Sequence, residues 1–153
     1  MHPKRRSYLP EYIASPAGWV AEQVELYESS NGMKGTTLRE TGLPVIIVTH
    51  IGRNTKAIRK TPLMKVVDGS NYILVASQGG APKHPVWYHN LKENSEVEIR
   101  DVDKLFDMTV REVSDTEERQ RLWKIAVDAY PPYQEYQEKT ERMIPVFIAE
   151  PRK

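Results

Sequence analysis

The sequence contains no cysteine. That excludes disulfides, thiolate catalysis and sulfur-ligated metals, and leaves redox chemistry to a bound organic cofactor or a metal held by nitrogen and oxygen. No apolar run approaches the roughly 20 residues needed to cross a bilayer, and the start, M-H-P-K-R-R-S-Y-L-P, lacks the apolar stretch of a secretory signal. A cytoplasmic protein with at most peripheral membrane contact is expected. Neither sign of charge is in excess, since 22 basic and 21 acidic residues leave +1. A nucleic-acid-binding domain is usually clearly basic, so no nucleic acid is expected as partner. The G-x-x-x-x-G-K-[ST] phosphate loop and the G-x-S-x-G elbow are both missing. Asp and Glu form no separated pair suggestive of a glycosidase. His84 and His89 have no acidic partner to complete a metal set, so no metal is expected; His2 and His50 add no pattern.

What remains is one domain's worth of chain: 153 residues, 39% of them apolar, without repeats or a low-complexity linker. The first ten residues carry three cations and two prolines and read as a mobile arm, here bounded at residues 1–15, before one domain over 16–153. Ser15 and Pro16 open a helix whose apolar face is Trp19, Val20, Val24 and Tyr27, with Gly32 as its stop. P-V-I-I-V-T-H-I, from Pro44, reads as a buried strand. T-P-L-M-K-V-V and Y-I-L-V-A-S read as a hairpin across the turn at Asp68 to Asn71. A second hairpin is expected around D-V-D-K, after a short helix over H-P-V-W-Y-H-N-L-K-E-N. Ser114 and Glu117 form a capping box for a helix that ends before Pro131. A further helical piece and a last strand, I-P-V-F-I-A-E-P, complete about six strands and three or four helices. The class is α+β, mostly antiparallel, a small barrel.

Four features could carry chemistry. Residues 52–61, G-R-N-T-K-A-I-R-K-T, carry Arg53, Lys56, Arg59 and Lys60, which suit a phosphate or polycarboxylate or else a solvated turn. A-S-Q-G-G-A-P-K leaves a strand with two adjacent glycines, either a shaped binding loop or a plain turn. In W-Y-H-N-L, Trp87 and Leu91 share a face, as in any core-facing helix, beside His89 and Asn90. Tyr130, Tyr133 and Tyr136 recur every third residue across a Pro-Pro helix start, as a core edge or a pocket wall.

In this order the features resemble the deazaflavin-dependent nitroreductase and quinone reductase family of actinobacteria, from about Pro16 onward. The resemblance rests on G-R-x-T at Gly52, Arg53 and Thr55, on R-K-T-P-L from Arg59, and on S-x-G-G-A-P-K from Ser77. It continues in P-V-W-Y-x-N-L around Trp87, Y-P-x-Y-Q-x-Y-Q from Tyr130 and the terminal I-P-V-F. It implies a split β-barrel of the FMN-binding-like type with a few peripheral helices. The implied cofactor is coenzyme F-420, an 8-hydroxy-5-deazaflavin with an oligoglutamate tail.

Carried over by position, Arg53, Thr55, Arg59, Lys60 and Pro62, with Lys56, Thr61 and Leu63 of the same segment, would hold the phosphate and tail. Ser77, Gly79, Gly80, Trp87 and Asn90, with Gln78 and Val86, would hold the ring. Tyr130, Tyr133 and Tyr136 would face the acceptor and, with Ser77, form the catalytic set. The implied reaction is hydride transfer from reduced F-420 to a quinone, nitroaromatic or enone, in a monomer or homodimer. Two lysines of many relatives are replaced, by Asn54 and Gln78, and Met64 stands where nitroreductase-like members carry an aromatic. The rival readings are an FMN-binding or pyridoxamine-oxidase-like reductase and a non-catalytic F-420 carrier.

Overall fold

The run V-I-I-V is apolar without interruption because β1 (Val45–Ile51) is covered on both faces. Val45 and Ile47 belong to one buried cluster, and Ile46 and Val48 to the other. A strand with one wet face would alternate; one buried twice need not. The same double burial marks β4 (Asn71–Val75), where Ile73 and Val75 oppose Tyr72 and Leu74. It recurs in β7 (Val146–Pro151), where Val146 and Ile148 oppose Phe147 and Ala149.

A computed structural model describes residues 11–38 and 41–152. The remaining strands are β2 (Ile58–Met64), β3 (Val67–Asp68), β5 (Glu96–Asp101) and β6 (Lys104–Glu112). The helices are α1 (Gly18–Ser29), α2 (Val86–Glu93), α3 (Thr116–Ala129) and α4 (Pro132–Lys139), with a short 3-10 turn over Gln78–Gly80. The seven strands form one sheet in the order β2-β1-β5-β6-β7-β4-β3, every neighbouring pair antiparallel. β1 and β4 stand four places apart in that order, yet Ile46 and Val48 share a cluster with Tyr72 and Leu74. The sheet therefore curls into a split barrel. Trp87 and Leu91 of α2 pack in its interior, while α1, α3 and α4 cover the outer cluster.

Three local expectations shift. The segment from Thr61 to Met64 pairs with β1, Met64 opposite Val45 and Pro62 opposite Ile47. Only Val67 and Asp68 face Tyr72 and Asn71 across the expected turn. β2 lies at the sheet edge, where a proline's missing N–H costs no ladder bond; the strand count rises to seven. At α3 the cap is Asp115, whose Oδ2 accepts from the Glu118 amide at 2.9 Å, one residue beyond the expected Ser114. A carboxylate at the positive end of a helix makes the stronger, charge-assisted bond. At α1 the cap is Ala17, whose amide donates to Ser15 Oγ at 3.2 Å. Most of the arm expected over 1–15 falls in residues 1–10, outside the described residues. Beyond it, Ile58 donates to the Glu11 carbonyl at 2.7 Å and accepts from the Ile13 amide at 3.0 Å.

Tyr27, fully buried on α1, ties this outer layer to the barrel rim: its hydroxyl donates to the Val45 carbonyl at 3.1 Å and accepts from the Val102 amide at 2.8 Å. Tyr27→Phe strands the Val102 N–H and should lower stability by about 1–3 kcal/mol. The expected reading is a lower urea midpoint at unchanged slope.

Candidate active site

Period-two geometry sorts the basic segment. His50 pairs with Arg59 across the β1–β2 ladder, and Val48 with Thr61. Val48 points into the barrel, so His50, Arg59, Thr61 and Leu63 share that side. Lys60 points the other way, toward α1, where its Nζ meets both carboxylate oxygens of Glu28 at 2.7 and 2.8 Å.

Among the described residues the buried polar side chains are His50, Ser77 and Asn90, and all three line one cavity of about 780 Å³. Asn90, on α2, accepts from the Arg53 amide through Oδ1 at 2.8 Å. Its Nδ2 must then donate to His50 Nδ1, at 3.3 Å, which leaves the imidazole proton on Nε2 to donate to Thr61 Oγ1 at 3.1 Å. Thr61 keeps its own O–H to offer into the cavity. Burial first, and the Arg59 charge second, push the His50 pKa down to about 4, so the ring is neutral at physiological pH.

Opposite this wall β4 ends at Val75, and after Ser77 the chain turns with positive φ at Gln78 (44°), Gly79 (63°) and Gly80 (78°). A side chain at Gly79 would meet nothing within 4 Å, so its absence leaves a flat backbone surface on the cavity. A Cβ at Gly80 would come within 2.7 Å of the Tyr136 carbonyl; that closeness presses the turn against α4. Tyr130 and Tyr136 join hydroxyls at 3.1 Å, and the buried Tyr133 ring packs against both, its centroid 4.9 Å from Tyr130 and 6.3 Å from Tyr136. Burial and the bond to Tyr136 push Tyr130 up to about 12, and burial raises Tyr133 as well. These phenols stay protonated at neutral pH.

The cavity thus gathers Arg59, Lys60, Thr61, Pro62, Leu63, Ser77, Gln78, Gly79, Val86, Trp87, Asn90 and the three tyrosines. Trp87 is both core and lining, its ring 5.9 Å from Phe147. Arg53, Thr55, Lys56 and Gly80 are outside the lining. Thr55 Oγ1 accepts from the Ala57 amide at 3.1 Å, closing its own loop. Arg53, Lys56 and Arg59 form no ion pair with the described residues. Sequence reading assigned no site role to Trp19 and Val20 of α1, which also line the cavity, nor to two polar residues. His50 sits in an apolar strand where spacing offers no signal, and Arg142 is remote in sequence yet donates to carbonyls on both sides of the glycine turn. Among the described residues no three His, Asp or Glu are grouped to hold a metal, and no helix is long and apolar enough to cross a membrane.

Comparison with known proteins points one way. The profile of the family described as F420H(2)-dependent quinone reductase matches residues 19–151. An F420H(2)-dependent quinone reductase of Mycobacterium tuberculosis (strain H37Rv) is 39% identical over 126 residues, 80% of this chain and 83% of that one. A solved F420-H2 dependent reductase, FDR-A, is 51% identical with a TM-score of 0.66, covering 70% of this chain and 94% of that chain. A structure described as a domain-swapped dimer is 46% identical with a TM-score of 0.69, covering 89% and 100%.

The neutral His50 makes stability pH-dependent. The unfolded chain takes up this proton near 6.5 while the folded protein refuses it until about 4. The contribution is complete above 6.5 and lost as pH falls toward 4, roughly 3 kcal/mol in all. His50→Gln, which cannot titrate, should show a correspondingly shallower loss in urea denaturation between pH 7 and pH 4.

Proposed function

The chain belongs to the F420H(2)-dependent quinone reductase family, and we propose that it transfers a hydride from reduced coenzyme F-420 to a quinone. The observation that carries the reading is that one cavity joins a basic strand, a flat glycine turn and a tyrosine wall. The residues suit the cofactor. Arg59, without an ion-pair partner among the described residues, lines the cavity, and Arg53 and Lys56 lie in the loop that joins β1 to β2; backbone free of side chain lies where a planar ring would rest, and phenols close the other side. Arg53, Lys56 and Arg59, with Thr55, Lys60, Thr61, Pro62 and Leu63, would hold phosphate and tail. Lys60 would do so while shared with Glu28. Ser77, Gln78, Gly79, Gly80, Val86, Trp87 and Asn90 would hold the ring.

When bound, the reduced cofactor supplies the hydride equivalent. The protein's part is orientation, exclusion of water and stabilisation of charge. Trp87 and the Gly79 backbone would align the ring with the tyrosine face, and holding donor and acceptor in register is worth several kcal/mol. Tyr130 and Tyr136 spend one O–H on each other and keep one to donate to an acceptor oxygen as negative charge grows there. With Tyr130 raised to about 12, its hydroxyl donates a hydrogen bond rather than releasing a proton, and the proton that completes reduction of a quinone comes from water. Ser77 offers a second hydroxyl from the turn.

A quinone is favoured over nitroaromatics and enones by the family; the related domain-swapped dimer supports a homodimer over a monomer. A cytoplasmic location with at most peripheral membrane contact belongs to the same proposal.

The test is to titrate the protein separately with F-420, FMN and FAD, reading quenching of tryptophan fluorescence, to which Trp19 and Trp87 of the cavity lining contribute, then to follow oxidation of reduced F-420 by menadione. Absence of F-420 binding ends the reading; tight binding without oxidation of any quinone leaves a carrier. Arg53→Ala with Lys56→Ala should weaken long-tailed F-420 far more than the tail-free chromophore, and equal losses would misplace the tail. Tyr130→Phe with Tyr136→Phe, which removes both hydroxyls, should cut kcat by roughly 100-fold with little change in F-420 affinity, seen in steady-state kinetics beside a binding titration.

A further inference from the structure

Arg142 lies in the link from α4 to β7, outside the cavity lining, and four of its five N–H donors converge on the segment that follows β4. Nε donates to the Ala81 carbonyl at 2.8 Å, Nη2 to the Ser77 carbonyl at 2.7 Å, and Nη1 to the Ala76 carbonyl at 3.2 Å and to His84 Nδ1 at 2.9 Å. Among the described residues it has no carboxylate partner. A fully charged group is thus committed to backbone oxygens, which point in the directions the planar fork dictates.

The segment so held has a conformation that needs holding. Three successive residues have positive φ, and the first, Gln78 at 44°, carries a side chain. A left-handed residue other than glycine persists only where its surroundings over-determine it. The turn's own bonds are Gly80 to the Ser77 carbonyl at 2.9 Å and Ala81 to the Gln78 carbonyl at 3.1 Å. Arg142 grips the carbonyls on either side of them. Its backbone is braced in turn from the tyrosine helix. Gln137 on α4 donates through Nε2 to the Arg142 carbonyl at 2.8 Å and accepts from the Ile144 amide through Oε1 at 2.9 Å.

We propose that Arg142 is a positioning residue that fixes the left-handed turn after β4 in the shape that receives the cofactor ring and joins it mechanically to the tyrosine wall. The turn's part in ring binding rests on the reading above; its dependence on Arg142 does not. His84 completes the clamp only when neutral, since a protonated Nδ1 cannot accept and would set two cations face to face. The groups around it are Arg142, His89 with its ring centroid at 6.4 Å, and Tyr88 with its ring at 4.4 Å. The Tyr88 hydroxyl donates to Glu112 at 2.9 Å, and Glu112 also pairs with Lys92 at 3.0 Å. Burial and then Arg142 hold the His84 pKa below its ordinary value.

Amide exchange on the cofactor-free protein, read as protection factors by mass spectrometry, tests the clamp without turnover. Arg142→Lys should lower protection at Gly80 and Ala81 by about tenfold or more, leaving β4 and β7 unchanged. It should also weaken F-420 binding, and adding Gln78→Gly should recover part of both. His84→Asn keeps an acceptor and should hold the turn at every pH. In the wild type, turn protection should fall on the acid side, and His84→Ala should be loose throughout. Wild-type protection in Arg142→Lys, or a loss spread evenly over β4 and β7 with a fall in Tm, would overturn the proposal. A turn that loosens in a protein whose wild type never binds F-420 would keep the clamp and remove the cofactor reading.

Discussion

Strands β1, β4 and β7 are buried on both faces, and the rest of the architecture answers to that constraint. Each such side chain gains about 1.5–3 kcal/mol by leaving water, which requires a barrel interior on one side and a helical coat on the other. The curl brings Ile46 and Val48 to Tyr72 and Leu74, and the coat brings α1, α3 and α4 over the opposite cluster. The cavity lies where these two demands part company, between the β1–β2 hairpin, the end of β4 and α4.

Polar groups in such a place need partners, and the site shows two ways of supplying them. On the hairpin side, Asn90, His50 and Thr61 pass one hydrogen-bond direction from the Arg53 amide to the cavity, with the imidazole kept neutral. On the turn side, Arg142 stays charged and meets carbonyl dipoles instead of a carboxylate. Both arrangements leave donors facing the cavity, Thr61 on one wall and the Tyr130–Tyr136 pair on the other. Arg59 on the lining, and Arg53 and Lys56 in the loop between β1 and β2, remain without ion-pair partners among the described residues. Such a surface favours an electron-rich, anionic ligand and growing negative charge on an acceptor.

Much of this was legible in the chain. The uninterrupted apolar β1, the alternating β5 and β6, the helix before Pro131 and the last strand follow from period and punctuation, which are local. Part of the cavity lining, from Arg59 to Leu63, at the glycine turn, on α2 and along the tyrosine row, coincides with residues named through motif resemblance, whereas Trp19, Val20 and His50 on the same lining carried no such signal. What escaped was long-range. Thr61 to Met64 pairs with β1 because an edge position tolerates Pro62, and no local pattern distinguishes that from a hairpin with β4. Trp87 looked like core, and it is core on one side while lining the cavity on the other.

Composition and local pattern by themselves determined an antiparallel α+β chain without thiol chemistry, a basic segment, a glycine turn and a tyrosine row, because propensity, periodicity and residue chemistry are carried within a few positions; the cofactor was implied by motif resemblance alone. Only the tertiary structure decided which cations remain available. Strand pleating sends Lys60 outward to Glu28 while Arg59 turns inward beside His50. It alone also decided that His50 is neutral and that Arg142 carries the glycine turn. Desolvation and hydrogen-bond partnership depend on neighbours 40 and 65 residues away in sequence, and such neighbours exist only once the sheet has closed.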